Sequence, residues 1–192
     1  MKRVLKLAAV AAAGLVVMGC GTVNLNKAIT GTDCTTREEC VKALNLRNPE
    51  KADLTFVVKP YEFNVGFKAN WGYTEPGTPR RTGDAAYCVA DALRQEFGNS
   101  KILIGSDHKS NEIFVTINEV RFWGNLHGEN CGIKTALSLN GKEYEVNGLK
   151  YTGPFRWSHD DQVYKGACTD IAKQIKKFVG ENQPAKTGMA GN

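Results

Sequence analysis

The side chains in this chain with the capacity for chemistry are six cysteines and three histidines. His108, His127 and His159 stand apart, with no HxxxH or His–carboxylate spacing of the kind that holds zinc. In "GSDHKSN", Ser106, Asp107 and His108 are neighbours in sequence. A catalytic triad, however, is assembled in space, and this stretch reads as a hairpin loop. No G-x-S-x-G elbow, P-loop or G-x-G-x-x-G follows a strand. Cys88 as a nucleophile would need a depressed pKa and a nearby histidine; among Ala and Val in mid-helix it reads as inert. No catalytic residue, metal site or cofactor site is expected, and the chain is not read as an enzyme.

The cysteines then become a question of pairing. In "DCTTREECVKALN", Thr36 and Glu39 form a capping box, with Cys34 just ahead of the helix and Cys40 inside it. A Cys34–Cys40 bridge there would replace the hydrophobic staple, and the spacing is too wide for a CxxC redox pair or zinc knuckle. For the rest, a Cys131–Cys168 bond is expected with Cys88 buried as a small hydrophobe; Cys88–Cys168 is the alternative. With Cys20 set aside, five cysteines remain, an odd number that leaves one without a partner in the chain.

Cys20 has a separate reading. Lys2, Arg3 and Lys6 precede an uncharged run from Leu7 to Met18. Twelve helical residues span about 18 Å, too short for a hydrocarbon layer of about 30 Å but suited to a secretory signal. The run ends in Val17-Met18-Gly19-Cys20, which resembles the lipobox of bacterial lipoproteins. The resemblance implies diacylglycerol on the Cys20 sulfur, cleavage after Gly19 and acylation of the new amino terminus. Gly21, where an aspartate would favour retention at the inner membrane, implies the periplasmic face of the outer membrane. Three acyl chains at about 0.8 kcal/mol per buried methylene hold permanently, where one chain would not. A plain cleaved signal with an incidental cysteine is the alternative.

The leader holds three of the 25 basic residues and none of the 20 acidic ones, so residues 20–192 carry 22 against 20, a net of +2. The sequence pI near 8.9 is therefore partly the leader's. No run of five or six like charges suggests nucleic acid. The mean hydropathy of −0.35, with no second long apolar run, argues against another membrane segment.

The elements that must position these residues follow from periodicity. Residues 1–19 read as the signal peptide, and 20–50 as a tether bearing the short stapled helix at about 36–45. Residues 51–179 read as an α+β domain, and 180–192 as a disordered tail. Leu54, Phe56 and Val58, then the odd positions from Tyr61 to Tyr73, alternate as one long or two shorter half-buried strands, with Pro60 marking an edge or bend. "TEPGTPRRTGD" reads as loop. Thr82 is the expected N-cap of a helix to Phe97, closed by Gly98. Three or four antiparallel strands follow, with Asn140-Gly141 as a hairpin turn. Ser158 opens a last helix to about Val179, with Val163 or Tyr164, Ala167, Cys168, Ile171, Ile175 and Phe178 on its apolar face. A two-layer sandwich is expected, with an antiparallel-rich sheet and two amphipathic helices on one face.

This order of elements over roughly residues 52–179 resembles small outer-membrane lipoproteins of the YajG type. It is also similar, more distantly, to the auxiliary lipoproteins of ABC-type lipid transport. The likeness is densest at "FVTINEV", Asn140-Gly141, "YTGPF" and the helix after Ser158. It implies a non-enzymatic partner of envelope complexes. The cysteine content and the Cys34–Cys40 helix depart from the pattern.

Two stretches offer a recognition edge, "NWGYTEPGTPRR" and "RFWGNLHG". Trp71, Tyr73 and Trp123 would serve as aromatic anchors, with Arg80 and Arg81 receiving an acidic partner or phosphate. The competing reading is cross-strand aromatic packing with glycine at a bulge. The expectation is thus a non-catalytic lipoprotein, bound to the membrane by its N-terminal lipid and docking an envelope protein. A lipid or small-ligand carrier, or a periplasmic inhibitor of a lytic enzyme, stands as the alternative.

Overall fold

The computed structural model describes residues 23–26, 36–45, 47–66, 79–125, 128–152 and 160–182. In chain order these form β1 (Val23–Asn24), α1 (Arg37–Asn45), β2 (Leu54–Val58), β3 (Glu62–Gly66), β4 (Pro79–Asp84) and α2 (Ala85–Glu96). Then come β5 (Ser100–Ile104), β6 (Ile113–Asn125), β7 (Gly128–Leu139), β8 (Lys142–Tyr151) and α3 (Asp160–Asn182). One sheet has the order β5-β2-β6-β7-β8 and a smaller one β1-β4-β3. With α2 and α3 packed together, α3 over β7 and β8 and α2 against β5, the chain is an α+β sandwich.

Several elements obey purely local rules. At the start of α1 the capping box closes in both directions: Glu39 N–H donates to Thr36 Oγ1 and Thr36 N–H to the Glu39 carboxylate, both at 3.3 Å. Asn140 and Gly141 take φ of 52° and 73°, the left-handed pair that a tight hairpin turn needs, and Leu139 pairs with Lys142 across it. In α3, Val163, Tyr164, Ala167, Cys168, Ile171 and Ile175 are all buried, so both candidates at the start of the stripe face the core.

Other elements depart from the expectation. β5 and β6 are not antiparallel neighbours: β2 lies between them, parallel to both. The continuous run Phe56-Val57-Val58 is wholly buried, as suits a central parallel strand covered on both faces. The expected loop around "PRRTGD" is strand β4, with Pro79 at its first position, where a missing N–H costs least. Flanked by β1 and β3, this segment becomes strand by tertiary pairing, against its turn-like composition. The helix that follows is capped by Asp84, not Thr82. The Asp84 carboxylate accepts from the Ala86 and Tyr61 N–H groups at 2.9 Å each.

The expected tether is also partly built in. Leu25 is wholly buried, and the Asn26 side-chain oxygen accepts the Asp84 N–H at 2.7 Å. At the other end, residues 180–182 continue α3 rather than starting a tail. Residues 183–192 lie outside the described residues, as does Ser158.

Cys168 bonds to Cys88, with Cα atoms 5.9 Å apart, so the expected Cys131–Cys168 bond is replaced by its alternative. The reason is geometric: α2 and α3 lie side by side and bring two core-facing positions within disulfide reach. Cys131 is a buried thiol on β7. Cys40 is disulfide-bonded and 3% exposed; Cys34, its expected partner, lies outside the described residues, as does Cys20.

Candidate functional site: a dent on the outer sheet face

Alternation along β6, β7 and β8 divides their side chains between two faces. One face lies under the helices: Val120, Phe122, Cys131, Ile133 and Val146 are buried there. The register places the other face in rows across three strands. Trp123, Asn130 and Tyr151 make one row; Arg121, Gly132 and Leu149 the next; Glu119, Lys134 and Asn147 the third. The middle row has no side chain at its centre. A cleft of about 470 Å³ opens there, lined by Glu119, Arg121, Trp123, Gly132, Lys134 and Leu149 among others.

The walls differ in chemistry. A Cβ on Gly132 would stand 3.1 Å from the Trp123 ring and 3.5 Å from Leu149, so the indole lies over the glycine backbone. Tyr151 meets Trp123 edge-on, with ring centroids 6.0 Å apart. Leu149 (39% exposed) and Tyr151 (61%) are the exposed large hydrophobics among the described residues. At the opposite end, Glu119 is ion-paired with Arg121 and lies 3.2 Å from the Lys134 ammonium. Burial alone would raise the Glu119 carboxyl; hydrogen bonds from Lys134 and Arg121, together with their charges, outweigh that and hold it below its usual range. The dent therefore combines an aliphatic-aromatic wall with two cations around one carboxylate.

Each edge of the large sheet is occupied in part by side chains. On β5, the Asn48 side chain pairs with Ile102 as a strand would, accepting from its N–H at 2.8 Å and donating to its carbonyl at 2.9 Å. Arg94 steadies that amide at 3.3 Å. Burial pulls the Arg94 pKa down, partly offset by Asp91. On β8, the Leu149 N–H donates to Asp170 at 3.0 Å and the Asn147 carbonyl accepts from Gln174 at 2.6 Å. Side chains thus occupy backbone groups that would otherwise template another strand.

Of the five recognition residues expected from sequence, the structure places Trp123 in this dent. Arg81 is elsewhere: it is 5% exposed, ion-paired with Glu129, and its guanidinium lies 5.0 Å from the Phe122 ring centre. It joins the small sheet to the β6–β7 hairpin and is not an exposed receptor for an acidic partner. Arg80 lies in β4; Trp71 and Tyr73 lie outside the described residues. Sequence reasoning missed Gly132, Leu149, Arg121, Lys134 and Glu119. A signal for part of this existed, because counting back from the Asn140-Gly141 turn pairs Gly132 with Leu149 and Lys134 with Asn147.

His108 stacks on Phe114 with centroids 4.2 Å apart. No group of three potential metal ligands occurs among the described residues. No described helix is long and apolar enough to cross a membrane. No protein-family model matches the chain, and no curated protein matches it. A solved structure described as an uncharacterized protein aligns at 10% identity and a TM-score of 0.44, over 71% of this chain and 96% of its own.

Proposed function

We propose that the protein is a lipid-anchored lipoprotein on the periplasmic face of the outer membrane. It acts without catalysis, as a docking or accessory component of an envelope assembly. The outer-face dent carries this reading. It pairs an exposed apolar wall with charged groups, the combination that marks interaction sites on soluble domains. Beside the dent the edge of β8 is occupied at Leu149 and Asn147 by Asp170 and Gln174, so at this place a partner would be received on the face. The address rests on the leader and Gly19-Cys20, and the Cys88–Cys168 bond suits an oxidising compartment. Kinship with YajG-type lipoproteins is part of the same proposal.

The carrier alternative is less supported. Where α3 crosses β8, a Cβ on Gly148 would collide with the Ala167 carbonyl and Ile171, so helix and sheet are in direct contact there. A photocrosslinking amino acid at Leu149 in living cells, with Glu143 as control, tests docking. A discrete envelope-protein adduct is expected at 149 alone, lost when Arg121 and Lys134 are both replaced by Gln. No such adduct, or one indifferent to those changes, refutes docking. Absence of palmitate label, or label that survives Cys20→Ser, refutes the anchor.

A further inference from the structure

β1 begins at Val23, three residues beyond Cys20. Val23 and Asn24 pair with Arg81 and Thr82, Leu25 is fully buried, and Asn26 holds the Asp84 N–H. The chain is therefore part of the body at Val23–Asn26. Three residues, fully extended, reach about 10 Å. A lipid on Cys20 leaves the body almost no slack.

The same pairing tells which end is held. Val23 lies beside Arg81, and Arg81 reaches Glu129 and the Phe122 ring on the helix-covered face of the sheet. The next residue, Asn130, stands in register between Trp123 and Tyr151, with its side chain on the other face. The aromatic row is thus at the same end of β6, β7 and β8 as the segment that leads to the anchor, on the opposite face of the sheet. Tyr151 is its most exposed member, 61% accessible. Tyr and Trp rings favour the headgroup level of a bilayer, where one end can be apolar and the other wet. Glu143, exposed and on the same strand, is eight residues away, about 27 Å along β8.

We propose that the anchor seats the body directly on the bilayer, with the Trp123–Tyr151 end of the sheet among the lipid headgroups. The rest of the dent, from Leu149 to Lys134, then stands just above the surface. The inference rests on the lipoprotein reading and adds an orientation to it.

The test uses the full lipidated chain in vesicles of phosphatidylethanolamine and phosphatidylglycerol. An environment-sensitive fluorescent amino acid replaces Tyr151 in one sample and Glu143 in another. At 151 the emission shifts to the blue and is largely quenched by headgroup-labelled spin lipid, while 143 stays as in water. Ten Gly/Ser residues inserted between Gly21 and Thr22, with a mean reach of about 17 Å, release most of that quenching. A water-like probe at 151 on protein that sediments with the vesicles overturns the orientation and leaves the anchor standing. Equal quenching at 151 and 143 overturns it as well. Failure to sediment removes the anchor itself.

Discussion

Replacing Cys88 and Cys168 together by Ala gives the most direct measure of how the two helices are held. The bond joins residues 80 apart in sequence, so it closes a long loop in the unfolded chain. The chain-entropy relation gives about 4.5 kcal/mol at 25 °C for a loop of that length. With a urea dependence of about 2 kcal/mol per molar, the midpoint should fall by about 2 M. The variant keeps the Cys40 bond, which isolates the cross-link between α2 and α3. Urea unfolding followed by far-UV circular dichroism reads the midpoint, and mass mapping of non-reduced peptides reads the pairing. Cys131 should react with a thiol reagent only after unfolding, since it is buried. A midpoint shift of a few tenths molar, or a Cys131–Cys168 peptide in the map, would refute the reasoning.

Four further outcomes can be checked on the same preparation. Gly148→Ala places a methyl against the Ala167 carbonyl and Ile171; it should cost about 1–3 kcal/mol and expose β8 amides to hydrogen exchange. Arg81→Met should lose about 2 kcal/mol, because it leaves Glu129 without its buried cation; unchanged thermal stability would contradict the seam described above. Asn48→Ala removes both bonds to Ile102, costs about 2 kcal/mol and opens β5, so light scattering should show self-association that the parent lacks. The Glu119 carboxyl is held low in the folded state, so its ion pairs stabilise above the ordinary carboxylate range and are lost as pH falls through the depressed value. A carbon-13 titration should give a midpoint below that of a free glutamate, moving upward in Lys134→Ala.

Local chemistry was legible in the sequence. Thr36 with Glu39, Asn140-Gly141 and the stripe from Val163 to Ile175 each depend on residues within a few positions, and each element stands where its pattern placed it. What escaped was non-local. β4 has the Pro, Arg and Gly of a loop and is a strand because β1 and β3 flank it. Leu54, Phe56 and Val58 suggested a half-buried strand, yet Val57 is buried too, since β2 is central and not peripheral. The cysteine pairing turned on which helices are neighbours, which spacing does not encode. The dent was hidden for a similar reason: Arg121, Gly132 and Leu149 are far apart in sequence and meet through register.

Where a partner can bind follows from which surfaces the protein has already used. The helices cover one face of the large sheet, and Asn48 occupies one edge at Ile102. Asp170 and Gln174 occupy the other edge at Leu149 and Asn147, beside the dent. Those last two contacts fix the backbone from which the Leu149 side chain projects outward, so the same strand segment is sealed along its edge and apolar on its face. In strand addition backbone groups supply the affinity, and side-chain pockets must supply the specificity. A face with a glycine floor, an aliphatic wall and two cations selects by shape and charge. At Leu149 and Asn147 an occupied edge thus adjoins a bare face, so what this segment offers for recognition is its side chains and not its backbone.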